Sequence, residues 1–385
     1  MKILTVAIPN HHFFKWIEHL EHSGHEVFWF DITDGGGVAT RIQWVKQFKG
    51  WKLKYDYPFR TRIKRTFPKL YKSIAKLNEN SVSSQFSKVV QRIHPDVIHC
   101  FEMQLSGLPI LEVLQQYKNI PLIYSSWGSD IYDYKRLGVT DHQFSTFSAR
   151  VDYLITDCKR DYKLAASKGF SGVFLGVFPG NGGICINSDD IEPIGVRKTI
   201  MIKGYDDGVG KAIQVLQAIE LLPEATIKQF DFIIYSADNI VIKYIENSNF
   251  FNVENTKVLS RYSFVKNELL LAYMGQSLIH IGNSISDGMP NALLEAMGMG
   301  AFPIQSNPGN VTEEVIEDGK NGFLIQNPLD VKEIAELIME SLSNSSLLKK
   351  AMNYNTAFIA ENYNRETLQP KIASLYQNLI STNEN

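Results

Sequence analysis

Cysteine is scarce in this 385-residue chain: Cys100, Cys158 and Cys185 are far apart, and no Cys-x-x-Cys pair occurs. An odd, dispersed set excludes a disulfide framework and a cysteine zinc site, and it fits a reducing compartment. Charge of one sign is lacking as well, since 39 Lys and Arg against 41 Asp and Glu leave a net −2. No global basic excess therefore calls for nucleic acid. No uninterrupted apolar run approaches the roughly 18 residues that a membrane-spanning helix needs. Met1-Lys2 leads into Ile-Leu-Thr-Val-Ala-Ile and then Pro9, too short for an export signal, and it predicts a buried first strand. Together these absences predict a cytoplasmic protein, at most peripheral on the inner face of the cell membrane.

What is present is ordinary globular composition, with 44% hydrophobic and 21% charged residues. At roughly 100 to 200 residues per domain, the length predicts two domains. Short β-rich apolar runs alternate with helix-period segments. Strands are predicted at Ile3–Ile8, Glu26–Phe30, Asp96–Cys100, Pro121–Ser125, Val151–Thr156 and Val173–Val177. Helices are predicted over Phe14–His22 and Lys159–Lys168, and the spacing of His19, His22 and His25 reads as surface histidines rather than metal ligands. Gly176–Pro193, rich in Gly, Pro, Asn and Asp, reads as a linker about which two domains would close.

The alternation restarts with predicted strands at Thr199–Ile202, Phe232–Tyr235, Lys257–Leu259, Leu278–Ile281, Ala301–Ile304 and Phe323–Ile325, and with a helix over Lys211–Leu222. Such alternation predicts an α/β protein of two Rossmann-like, doubly wound parallel-sheet domains. Their expected limits are 1–185 and 186–360, with residues 361–385 of a helix-rich tail returning to the first domain. Ligands in such folds bind at the carboxyl ends of the strands.

The most informative stretch is Gly282-Asn-Ser-Ile-Ser-Asp-Gly-Met-Pro-Asn-Ala-Leu-Leu-Glu-Ala-Met-Gly298. A strand ends at about Ile281, a turn follows, and Pro290 starts a helix where its missing N–H does no harm. The first-turn amides of that helix carry the positive end of its dipole, which suits a phosphate or a sugar oxygen. Alone, Asp287 would be a turn residue and Glu295 a solvated helix charge.

The full string resembles the Glu-Gly-x-Pro-x-x-x-x-Glu signature of retaining nucleotide-sugar glycosyltransferases of the GT-B fold, glycosyltransferase family 4. Asp287, Gly288, Pro290 and Glu295 stand at its positions, with Asp in place of the first Glu. The likeness continues through Ala296-Met297, Gly300, Pro303, Gly309, Glu314 and Gly319-Lys-Asn-Gly322. The resemblance implies that Glu295 accepts both ribose hydroxyls of the nucleotide, a bidentate charge-assisted contact. It implies that Asp287, one methylene shorter than the family's Glu, holds hydroxyls of the donor sugar. Gly288, Met289, Pro290 and Asn291 would line the sugar and pyrophosphate pocket.

Ile202-Lys-Gly-Tyr-Asp-Asp-Gly-Val-Gly-Lys-Ala212 is the second informative stretch, a strand–glycine turn–helix with lysines. Such a turn is a ready phosphate site. Its glycines, at 204, 208 and 210, fit neither a Walker loop nor a dinucleotide GxGxxG. In the family this place carries an Arg and a Lys that clamp the diphosphate. Lys211 is similar to that Lys, but the turn has no Arg; either Lys203 takes its place or the clamp is weaker.

The first domain offers a looser likeness. Ser126-Trp-Gly-Ser-Asp130 resembles the family's His-Gly-x-Asp turn, with Trp127 where His is common. His99-Cys-Phe-Glu102 resembles a His-x-His-Glu pattern whose second His is Phe101. His99, Glu102, Trp127 and Asp130 are the acceptor-side candidates.

Between Lys46 and Lys76 lie eleven Lys or Arg and a single acid, Asp56, interleaved with Trp51, Tyr55, Tyr57, Phe59, Phe67 and Tyr71. This local excess of +10 leaves −12 for the rest of the chain. It suits an anionic membrane surface, at about 1 kcal/mol per basic residue, better than nucleic acid, which the acidic remainder disfavours.

The expectation is a retaining transferase moving a sugar, from a UDP-type donor by family custom, to a glycan or polyprenyl-linked acceptor in cell-surface polysaccharide synthesis. Asp287, Lys211 and Asp130 are its catalytic candidates. No cofactor or metal is expected, since no Asp-x-Asp metal motif is evident. The alternatives are a nucleotide-sugar epimerase of the same architecture and a non-catalytic binding subunit.

Overall fold

The computed structural model describes residues 1–251 and 255–381. They fall into two compact units. Of the described residues, the first comprises Met1–Asp157, Asp161–Gly182 and those from Ile372 to Ser381; the second comprises Cys158–Arg160 and those between Gly183 and Lys371.

The first unit is built on seven strands, β1 (Lys2–Ala7), β2 (Glu26–Asp31), β3 (Lys46–Phe48), β4 (Val97–Phe101), β5 (Leu122–Ser125), β6 (Tyr153–Thr156) and β7 (Val173–Val177). They form one sheet in the order β3-β2-β1-β4-β5-β6-β7, parallel throughout. Every residue of β4 and β5 is buried, so both faces of the sheet's middle are covered, which is why their sequences run apolar without alternation. Leu4, Val6, Phe30, Phe86, Ile98 and Leu122 centre its core.

The second unit holds six strands, β8 (Thr199–Lys203), β9 (Asp231–Ala237), β10 (Thr256–Ser260), β11 (Ser277–Gly282), β12 (Phe302–Ser306) and β13 (Phe323–Ile325). Their order is β10-β9-β8-β11-β12-β13, again all parallel. Ile200, Ile202, Val215, Ile234, Ile279 and Ile304 lie in its core. Strand order reverses between β1 and β4 in one sheet and between β8 and β11 in the other. These are the switch points where open parallel sheets bind ligands.

The twelve strands expected from the apolar runs are present, and β3 is the addition. Its sequence, Lys-Gln-Phe, offers no apolar run, as befits a three-residue charged edge strand. The first helix runs His11–Ile17, capped by the Asn10 side chain, and continues as a 3-10 turn over Glu18–Leu20. His19 differs from its expectation as a surface residue: it is buried, with Nε2 2.7 Å from the Gly182 carbonyl oxygen. The chain leaves the first unit at Gly182, in the aperiodic stretch after β7. The final helix, Arg365–Ser381, belongs to the second unit through Lys371 and to the first from Ile372. Among the described residues no helix is long and apolar enough to cross a membrane.

Candidate functional site

The two informative stretches follow β8 and β11, adjacent strands on either side of the switch point of the second unit. Gly204 leaves β8 pressed on the neighbouring strand: its N–H donates to the Tyr235 carbonyl at 2.8 Å and its carbonyl accepts from Asp238 N at 3.0 Å. A Cβ there would stand 2.7 Å from Ala237 Cα, so this approach requires glycine. Gly210 is equally constrained, since its Cβ would fall 2.3 Å from the Tyr205 carbonyl oxygen.

The turn's acids hold the turn itself. Asp206 accepts from Ile213 N at 2.9 Å in the first turn of the helix Ala212–Glu220, and Asp207 accepts from Gly210 N at 3.2 Å. The Lys211 ammonium donates to the Gly208 carbonyl at 3.0 Å.

The second loop is laced to the first. Lys211 N donates to Asn283 O at 3.0 Å, Ile285 N to Val209 O at 3.0 Å, and Asn283 Nδ2 to Lys211 O at 3.2 Å. Gly210 and Ser284 form an antiparallel bridge. The helix that follows is Asn291–Gly298, with Pro290 as its N-cap, so it starts one position later than expected. Buried Gly288, Met289 and Pro290 lead into it, and Asn291 is half-buried. Leu293 N and Leu294 N donate to the Pro290 carbonyl at 3.0 and 3.3 Å, and the positive end of the helix dipole gives this start its anion preference.

Side chains converge on the same place. Lys203 Nζ lies 3.8 Å from Asp287 Oδ2. Burial pushes the Asp287 carboxyl above its usual range, against the opposing pull of Lys203, the Gly288 amide and Arg160. Arg160 donates to the Asp287 carbonyl at 2.8 Å and to the Pro308 carbonyl at 2.7 Å, tying the Asp287 turn to the loop after β12. Glu314 orients this segment by accepting from Lys159 N and Arg160 N at 2.9 and 3.0 Å.

Glu295, half-buried on the helix, accepts from Asn267 Nδ2 at 3.4 Å. The Tyr235 hydroxyl is held well above its usual value by burial and then by the charges of Glu295, Tyr205 and Asp287. That hydroxyl meets His280 Nε2 at 2.9 Å, and burial, aided by Lys203, keeps the imidazole neutral at about 3. Tyr205 carries Lys203 Nζ 4.9 Å and Arg261 Cζ 4.3 Å from its ring centre, and Arg261 pairs with Asp238 at 2.9 Å. Two arginines from elsewhere in the chain thus join these loops, Arg160 on the Asp287 and Pro308 carbonyls and Arg261 in ion pairs with Asp207 and Asp238.

In the first unit the acceptor-side candidates take two kinds of place. His99 is fully buried in β4, with Nδ1 2.7 Å from Tyr376 Oη and Nε2 2.8 Å from Ser125 Oγ; burial lowers it to about 3, so it is neutral. Asp130 is also buried and accepts from Tyr124 Oη at 2.6 Å, Met103 N at 2.9 Å and Trp127 N at 2.9 Å. Asp130 holds the turns at Met103 and Trp127, His99 joins β4 to β5 and the last helix, and neither is presented to solvent.

Glu102 occupies a left-handed backbone position, φ 70°, and accepts from Gln104 N at 2.8 Å and from Leu105 N. Burial and then the neighbouring Asp130 push it up to about 8. Trp127 is half-buried beside His12, their ring centres 5.8 Å apart.

Sequence reasoning did not single out Arg160, Tyr205, Tyr235, Arg261 or Asn267. Arg160 meets Asp287 across 127 positions of sequence, and nothing near it signals that partner. The Tyr205 position in the glycine turn was the available clue.

Residues 211–358 match the family described as Glycosyl transferases group 1, and residues 2–157 match that described as Glycosyl transferase 4-like. No curated protein matches the sequence. Among solved structures, sucrose-phosphate synthase from Thermosynechococcus elongatus is similar over 99% of this chain and 100% of its own, at 15% identity and a TM-score of 0.71. HepE from Anabaena, in complex with UDP and glucose, is similar over 98% and 100%, at 15% identity and 0.68. The pneumococcal O-GlcNAc transferase GtfA, with UDP and GlcNAc, covers 77% of this chain and 60% of its own, at 17% identity and 0.60.

Proposed function

We propose, from the premise that this chain belongs to the group 1 glycosyltransferases of GT-B fold, that it transfers a sugar from a UDP-type donor to a glycan or lipid-linked glycan with retention of anomeric configuration. The observation that carries this reading is the pair of interlocked loops at the β8/β11 switch point, which join the Lys203–Asp287 pair, Lys211 and the start of the helix that bears Glu295. The UDP named for HepE and GtfA supports the choice of base and diphosphate.

Departure of a nucleoside diphosphate loads charge onto the leaving phosphate, and fixed donors placed there lower the barrier. In this reading Lys203, Lys211 and the N–H groups of Gly288, Met289 and Asn291 meet that charge without a metal, and Pro290, which has no N–H, contributes shape only. Glu295 takes the ribose hydroxyls, and Asp287 holds the donor sugar. Arg160 keeps the Asp287 turn in register through its two carbonyl contacts. Trp127 is the half-buried acceptor-side candidate, with the buried Glu102, Asp130 and His99 acting through the backbone and side chains they hold.

The test is incubation with a panel of nucleotide sugars and glycan acceptors, with products read by mass spectrometry. Acceptor-dependent transfer that the Glu295→Ala variant lacks is the expected result. Conversion of the donor sugar without acceptor would indicate an epimerase, and binding without turnover across the panel a non-catalytic subunit.

A further inference from the structure

Neither sheet uses the segment between β3 and the helix Val82–Ile93. It folds as two helices, Arg60–Thr66 and Pro68–Asn78, neither of which has a buried residue. A fold that only needed to span this distance would gain nothing from large apolar and cationic side chains held in water.

The structure sorts the eleven basic residues of 46–76 into two groups. Lys46 pairs with Glu26 at 2.8 Å, Lys49 with Asp31 at 2.8 Å, Lys52 with Glu79 at 3.8 Å and Arg60 with Asp56 at 3.7 Å. Lys54 donates to the Leu77 carbonyl. Arg62, Lys64, Arg65, Lys69, Lys72 and Lys76 are exposed and enter no ion pair among the described residues. No acid occurs between Tyr57 and Asn78.

Among these cations stand Tyr55, Phe59, Phe67, Leu70 and Leu77, each more than half exposed. Phe67, Leu70, Ile74 and Leu77 recur at spacings of three and four and share one helical face. Lys69, Lys72 and Lys76 recur at the same spacing around the helix from it.

We infer that the helices Arg60–Thr66 and Pro68–Asn78 seat the protein on an anionic lipid bilayer, the six cations on headgroups and Phe59, Phe67, Leu70 and Leu77 at the headgroup–acyl boundary. An acidic protein or a nucleic acid would neutralise the cations and leave the apolar residues in water. A bilayer takes both, because its interface is negative outside and apolar just beneath. The net −12 on the rest of the chain orients the molecule with this strip toward the surface. The inference goes beyond the proposed transfer, since it invokes neither donor nor acceptor.

Co-sedimentation of the full chain with phosphatidylcholine vesicles, with and without phosphatidylglycerol, tests it at low and high salt. Binding is expected only with phosphatidylglycerol and should fall as salt rises. Lys69→Gln/Lys72→Gln/Lys76→Gln should weaken partitioning on the order of a hundredfold. Phe67→Ser/Leu70→Ser/Leu77→Ser should bind more weakly yet keep the salt dependence. Since these residues lie outside both cores, unchanged circular dichroism is expected for each variant.

Absence of binding at low salt overturns the inference, as does undiminished binding by the glutamine variant. Two other outcomes overturn it as well: preference for single-stranded nucleic acid over vesicles at matched phosphate, and lipid-free self-association that the glutamine variant abolishes.

Discussion

Lys203 and Asp287 bring their charged atoms to 3.8 Å from the ends of two neighbouring strands, at the point where the strand order of the second unit reverses. The ammonium offsets part of the burial that raises the Asp287 carboxyl, so each group conditions the other's charge. Asp287→Asn keeps the shape and removes this pairing. Donor affinity is expected to fall more than thermal stability, by roughly ten- to a hundredfold if one charge-assisted contact is lost, as measured by nucleotide-sugar titration.

Glu295→Ala removes the carboxylate assigned to the ribose while leaving the helix Asn291–Gly298 a good helix former in its place. We expect kcat/KM to drop by at least an order of magnitude with an unchanged melting temperature, checked by steady-state kinetics and calorimetry.

Arg160 spans two carbonyls with one planar fork, which a lysine cannot reproduce. Arg160→Lys should therefore loosen the Asp287 turn, raising KM for the donor, and cost about 1–3 kcal/mol of stability in urea titrations.

Tyr376 Oη joins Trp16 Nε1 at 2.9 Å to His99 Nδ1 at 2.7 Å inside the first unit. Tyr376→Phe strands both partners in a dry core, so a loss of about 1–3 kcal/mol is expected. Transfer rates at a permissive temperature should be unchanged, because the network holds the fold and does not face a ligand.

Glu102 supplies a pH signature. A carboxyl whose folded value, about 8, lies above its usual 4.5 binds more protons folded than unfolded between those limits. Stability contributed by this group is therefore full below about 4.5 and is lost as pH rises toward 8 and beyond. The urea midpoint of the wild type should fall relative to that of Glu102→Gln between pH 5 and pH 8; parallel curves would contradict the burial of this charge.

The fold was largely legible because buried parallel strands must be apolar along their whole length, and twelve such runs stand out of the sequence. The same property hides orientation. All five residues of β4 are buried, so no alternation marks His99 as a core residue rather than a loop-facing one. Asp130 has the sequence context of a site residue, and only its three acceptor contacts reveal that it holds the loop. The loop after β8 was legible because glycine at 204 and 210 is a steric necessity that leaves a trace in the sequence. Arg160 and Arg261 left none, since a charge delivered from a remote segment obeys no local spacing rule.

The lacing of the loops after β8 and β11 has a bearing on redesign. Lys211 and Asn283 each close the other's backbone, so neither loop is a self-sufficient module. An engineer wishing to change the sugar this protein handles would have to transplant both segments as one cassette, because importing either alone would leave its partner's amides and carbonyls facing a stranger.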